Sequence, residues 1–221
     1  MRVLRVYVGA GLALWCAAGA LAEEPDRLEP HMTVVGVTLE RTTLLEAQRL
    51  LGRADLRHNG GDAAASASAE CYVGPDGTAL ALLSNSEMGG GTTITEYQLV
   101  SREALADYSG DTRYVVPREN RPRCAILTSL SRSTATTGGL RLGLPIEDLR
   151  RLLGDPSEVS ADHVVFSSEA RVPMTPEQKK AFEAYNGPDR TEDFMVRGRL
   201  LRIELAGGKV IAIRASQVTS T

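Results

Sequence analysis

The stretch Gly139-Leu140-Arg141-Leu142-Gly143-Leu144-Pro145-Ile146-Glu147-Asp148-Leu149-Arg150-Arg151-Leu152-Leu153-Gly154-Asp155-Pro156 contains a short extended run, a helix and a helix stop. Ile146, Leu149 and Leu153 fall at i, i+3 and i+7, the spacing of one helical face. Pro145 suits a first turn. Gly154 suits a left-handed end, and Pro156 forbids continuation. The same grammar occurs about a hundred residues earlier. Gly36-Val37-Thr38-Leu39 leads into Leu44-Leu45-Glu46-Ala47-Gln48-Arg49-Leu50-Leu51-Gly52, with Leu44, Ala47 and Leu51 as the stripe and Thr42 or Thr43 as the cap. Helices this short are marginal alone, so each implies a sheet to lie on.

Strand patterns follow both helices. After the first come Glu70–Val73, the turn Pro75-Asp76-Gly77, Thr78–Leu83, and the alternating run Thr93–Leu99. After the second, His163–Phe166 reads as a strand. Leu201, Ile203 and Leu205 share one face of the next, and Gly207-Gly208 turns it into Lys209–Arg214. The expected class is therefore α+β. It comprises two tandem units, each a short helix packed on an antiparallel meander of three to four strands. The units span 32–101 and 138–218, joined by a connector over 102–137. The second unit carries a helical insertion over 173–193, opened by Thr175-Pro176-Glu177-Gln178 and closed by Asn186-Gly187-Pro188.

Residues 1–22 read as an export signal rather than fold. Arg2 and Arg5 precede an apolar run from Val6 to Ala18, and Ala20-Leu21-Ala22 is a small-x-small cleavage site. An uncleaved anchor is the alternative. Trp15 stands where lipoprotein processing at Cys16 needs a small residue, so Cys16 reads as part of the apolar run. Cleavage would remove both arginines and move the formal charge from −3 to −5. The mature chain is then expected to be periplasmic or secreted, with Cys71 and Cys124 as its cysteines. In an oxidising compartment an even pair suggests a disulfide; two buried thiols are the other reading.

The pattern G-L-x-L-G-x-x-x-x-x-L-x-x-L-L-G-x-P, followed by strands ending apolar-G-G-K-V-x-x-I, resembles the outer-membrane assembly lipoproteins of the BamE (SmpA/OmlA) family. It is also similar to the tandem unit of β-lactamase-inhibitory protein. Gly139–Pro156 and Leu200–Arg214 carry the resemblance; the first unit carries it loosely, with Glu40-Arg41 in place of the glycine. The resemblance implies this fold and a surface that holds another envelope or secreted protein, not catalysis. Unlike the lipoproteins, this chain has no cysteine directly after its signal.

Catalytic signatures are missing from the sequence. There is no G-x-S-x-G elbow, no S-x-x-K/S-D-N/K-T-G set, no C-x-x-C or H-E-x-x-H, and no P-loop, so no cofactor or metal is expected. The three histidines read blandly: His31 beside a flexible N-terminus, His58 in a polar loop, His163 at a strand edge. Arg113, Arg118, Arg121, Arg123 and Arg132 make the connector basic, but aromatics are scarce among them and the chain is acidic overall, so nucleic acid is not an expected partner. A membrane surface is the other candidate contact for these arginines; no spanning helix is expected in the mature chain.

The candidate partner contacts are Glu87 and Met88 in the loop Ser84–Gly91, Tyr97 on the strand after it, and Phe182 and Tyr185 on the insertion helix. The plainer reading of the loop is a hairpin connection, and that of the insertion helix is packing over the second sheet. The expected role is an exported, non-catalytic protein-binding or structural module of the bacterial cell envelope. An extracytoplasmic inhibitor of a hydrolase is the alternative.

Overall fold

A computed structural model describes residues 26–59, 66–86, 92–102, 104, 124–187 and 192–220. The export signal, the loop residues Glu87 and Met88 and the connector arginines from 113 to 123 lie outside the described residues.

The α+β class holds: short helices accompany one large, mostly antiparallel sheet. A 3₁₀ turn at Glu29–Met32 opens into a small hairpin, β1 (Thr33–Val34) and β2 (Val37–Thr38), and helix α1 (Leu44–Leu51) follows. Next come β3 (Arg57–Asn59), β4 (Ser66–Val73), β5 (Ala79–Ser86), β6 (Glu96–Val100) and β7 (Ala125–Ile126). The chain ends with α2 (Ile146–Leu153), β8 (Glu158–Val159), β9 (His163–Pro173), α3 (Pro176–Asn186), β10 (Phe194–Ala206) and β11 (Lys209–Ser220). The sheet runs β3-β4-β5-β6-β11-β10-β9-β8, and β7 pairs in parallel with β4. Glu96–Val100 of β6 pairs with Ala212–Ser216 of β11, which joins the two meanders edge to edge.

Local chemistry sets the helix ends. Thr43 forms a full capping box with Glu46, and Thr175 does the same with Gln178. Pro145 stands one residue outside α2 in extended conformation, and Gly154 closes the helix at φ 84° with its amide on the Arg150 carbonyl. Helix α1 buries Leu44 and Ala47, and α2 buries Leu149 and Leu153.

The entries to the two helices make the same hydrogen bonds. The amides of Glu40 and Gly143 reach the carbonyls of Ile94 and Val210, both at 2.7 Å. The Leu44 amide bonds the Thr92 carbonyl, as Ile146 bonds Gly208; the Ile94 amide bonds the Thr42 carbonyl, as Val210 bonds Leu144. Both helices then lie on the same face of the sheet's apolar rows. Tyr72, Leu80, Leu99, Ile213, Ile203 and Val164 form one row across the strands; Leu82, Tyr97, Ala215, Leu201 and Phe166 form the next. Together with Leu39, Leu130, Leu140 and Leu149 they make one continuous core.

Two expectations about extent change. Strands β9, β10 and β11 run well past the predicted segments, to Pro173, from Phe194 and to Ser220. Helix α3 sits at the tip of the β9–β10 ribbon, where the Met174 amide bonds the Asp193 carbonyl, and it buries none of its residues. Its apolar stripe therefore does not pack over the sheet.

Candidate functional site

Strand phase on β10 is fixed by Leu201 and Ile203, which are fully buried against the core. Side chains alternate across a strand, so this phase continues backwards through Arg199 and Arg197 on the inner face, while Leu200, Gly198, Val196 and Phe194 face outward. The usual arrangement is inverted here. The arginine side chains are 4% and 28% exposed, whereas Leu200, Val196 and Phe194 are 38%, 41% and 49% exposed.

Register completes the outer face. Val218 of β11, 56% exposed, lies directly across from Gly198. A Cβ on Gly198 would meet only the Val218 carbonyl oxygen, at 3.9 Å. The glycine thus leaves a shallow gap between Val196 and Leu200 beside the uncovered Val218. Ser216 and Ser167 flank Leu200, Pro173 flanks Phe194, and Arg202 is the next outward residue after Leu200. The Arg202 Nε is buried and makes no hydrogen bond among the described residues. The result is a strip of uncovered apolar side chains with Arg202 at one end and with Glu169 and Arg171 of β9 beside Gly198 and Val196, and exposed apolar patches rimmed by polar residues mark contact surfaces.

Beneath it, the inward arginines are held by carboxylates. Arg199 donates from Nη1 to Asp26 Oδ2 and from Nε to Gln217 Oε1 at 2.8 Å. The Gln217 Nε2 donates to Glu40 Oε2 at 2.9 Å, and Glu40 also accepts from the Thr219 amide and hydroxyl, both at 2.6 Å. Arg197 Nε lies 3.5 Å from Glu40 Oε2. Ser168 Oγ donates to Asp26 Oδ2 at 2.8 Å. Burial alone raises the Asp26 carboxyl, but hydrogen bonds from Leu28, Ser168 and Arg199, with the Arg199 charge, outweigh it and leave it below its usual range. This belt ties the N-terminal segment and the start of α1 to the far ends of β10 and β11.

Elsewhere the polar groups are structural. His31 is buried, with Nδ1 2.9 Å from Thr136 Oγ1, and burial pushes its imidazole down to about 4. This corrects the expectation of a flexible N-terminal position: the ring is wedged against Gly138, where a Cβ would sit 2.3 Å from it. His58 lies on β3 opposite Ser68, not in a loop. His163 contacts Asp162 Oδ1 at 2.8 Å and Glu158 Oε1 at 3.3 Å, so its neighbours are carboxylates rather than a nucleophile. Burial raises the Glu70 carboxyl against the opposing pull of its hydrogen bonds from Gln48 and Tyr72. No group of three His, Cys, Asp or Glu among the described residues is placed to hold a metal. No helix among them is long and apolar enough to cross a membrane.

Cys71 and Cys124 are bonded, with Cα atoms 4.7 Å apart, fastening β4 just ahead of its pairing with β7. Tyr97 is overturned as a partner contact. It is wholly buried, and its hydroxyl donates to the His31 carbonyl at 2.7 Å. Tyr185 is 86% exposed at the ribbon tip, whereas Phe182, on the same helix, is half-buried. Neither joins the β10–β11 patch in the register, and Glu87 and Met88 lie outside the described residues. Sequence reading passed over Phe194, Val196, Leu200 and Val218, although the phase of Leu201 and Ile203, carried back through Val196-Arg197-Gly198-Arg199-Leu200, points to them.

No family model, curated protein or solved structure matches this chain.

Proposed function

We propose that this chain is an exported, non-catalytic module of the bacterial envelope that holds another protein on the outer face of β10 and β11. One observation carries the reading: the inverted strand, with Val196 and Leu200 outward and, turned inward on acidic partners, Arg199 buried and Arg197 half-buried. Burying arginines while exposing valine and leucine is unfavourable in isolation, and a partner that covers the apolar face would offset it. The partner this face fits has an apolar contact surface that covers Val196, Leu200 and Val218.

The architecture proposed is a tandem duplication over 32–101 and 138–218. Its support is the repeated set of helix-entry hydrogen bonds at Glu40 and Gly143, Leu44 and Ile146, Ile94 and Val210. On this reading the chain is built like the BamE and β-lactamase-inhibitory proteins that its sequence resembles, and residues 1–22 are removed on export. The Cys71–Cys124 disulfide is compatible with an oxidising compartment.

The test is capture from native envelope extract by the mature protein, alongside a Leu200→Glu/Val218→Glu variant and a Leu45→Glu control on α1. A specific partner retained by wild type and control but lost by the patch variant supports the proposal. Capture unchanged in the patch variant, or no specific partner at all, would falsify it.

A further inference from the structure

Strand β8 covers only the start of its neighbour: Glu158 and Val159 pair with Val165 and Val164. From Ser167 to Pro173, β9 is the edge of the sheet among the described residues. The direction of its free backbone groups is fixed at Val165, whose carbonyl accepts from the Ser157 amide at 2.8 Å on the side away from β10. In antiparallel pairing alternate residues point both backbone groups the same way, so Ser167, Glu169 and Arg171 direct theirs outward too. A cleft of about 800 Å³ runs along this edge, between β9 and the segments holding Leu28, Leu153 and Ser157. Natural sheets blunt a free edge with charge, which works when copies repel. Here the two outward charges have opposite sign.

We propose that this edge pairs with the same edge of a second copy, forming a two-fold dimer whose sheet is continuous across both chains. This does not depend on the partner reading of the β10–β11 face. The free segment of seven residues is centred on Ala170, and Glu169 and Arg171 stand one residue to either side. Antiparallel pairing about Ala170 sets Glu169 opposite the second copy's Arg171, and Arg171 opposite the second copy's Glu169. Both pairs fall at backbone-bonded positions. Ser167 meets Pro173 at each end, where the missing proline amide and the copy's own β8 both end the ladder. Ala170 lies on the axis, and its methyl lets the strands approach. Other two-fold registers place like charges together, overrun β8, or run past Pro173 into the start of α3.

The experiment is sedimentation equilibrium of the mature protein with two single variants. Wild type is expected to dimerise with rising concentration. Glu169→Arg sets arginine against arginine at both pairs, and Arg171→Glu sets glutamate against glutamate; each is expected to weaken dimerisation about tenfold. Mixing the two variants restores both opposite-charge pairs, so the mixture is expected to regain wild-type affinity as a heterodimer. That recovery also shows that both variants are folded. Ala170→Cys is expected to form an intermolecular disulfide across the axis, confirming the register. A wild type that stays monomeric, a dimer insensitive to both variants, or a mixture no tighter than either variant alone would overturn the proposal.

Discussion

The amides of Glu40 and Gly143 make the same 2.7 Å bond, one to Ile94 and the other to Val210, and both residues sit at positive φ, 57° and 77°. One position carries glycine, the residue that suits this backbone; the other carries a glutamate whose side chain receives three hydrogen bonds from Gln217 and Thr219. Local strain at Glu40 is thus exchanged for a clamp on the end of β11.

That exchange separates two substitutions. Glu40→Ala loses the clamp and keeps the strain, whereas Glu40→Gly loses the clamp but relieves the backbone. Both variants are expected to be less stable than wild type, with the alanine variant about 1 kcal/mol worse than the glycine one. Denaturant midpoints at constant slope check this. Equal midpoints would remove the strain at Glu40 from the account.

Arg199 and Asp26 form the most enclosed ion pair described, with side chains 4% and 17% exposed. Arg199→Ala leaves a carboxylate under the N-terminal segment and is expected to cost about 3 kcal/mol. Arg199→Met combined with Asp26→Asn removes both charges and should recover most of that loss. A double variant no better than the single one would contradict the pairing.

His31 gives a signed pH dependence. Its pKa is about 4 in the fold, where burial keeps it neutral, against 6.5 in the unfolded chain. The unfolded state therefore binds more protons as pH falls, and the stabilisation present above pH 6.5 is lost progressively down to pH 4. The loss is expected to be about 2 kcal/mol after allowing for partial screening. Unfolding free energies of His31→Gln measured between these limits should show a flatter slope. Gly138→Ala, which forces a methyl to within 2.3 Å of the imidazole, is expected to destabilise at every pH.

The disulfide closes a separation of 53 residues. Reduction, or Cys124→Ser with Cys71→Ser, is expected to cost about 4 kcal/mol on the chain-entropy model. Chemical denaturation with and without reductant reads the difference directly, and an unchanged midpoint would show that the bond constrains little.

Local sequence carries the helices well, because Thr43, Glu46 and Gly52, or Pro145 and Gly154, each act within one or two turns. It carries the inner strand rows too, since Leu201, Ile203 and Leu205 declare a phase. It does not carry the full reach of β9, β10 and β11: the phase of Leu201 and Ile203 extends back through Val196-Arg197-Gly198-Arg199-Leu200, but two arginines on the inner face look untenable from local sequence. Their long-range partners, Asp26 and Glu40, are what make that placement stable. Tyr97 shares the parity of Leu99, and its burial follows from that face being covered by the N-terminal segment. His31 gives no local sign of burial, because its pocket is assembled from Thr136 and Gly138, more than a hundred residues away.

Binding of a protein to the outer face of β10–β11 can be read in cells by site-specific photo-crosslinking, with the photoreactive side chain placed in turn at Leu200, Val218, Leu45 and Leu50. All four positions are exposed apolar sites, and the last two lie on α1, away from the patch. One common adduct is expected from Leu200 and Val218, and none of it from Leu45 or Leu50. No adduct from β10–β11, or the same products from all four positions, would contradict it.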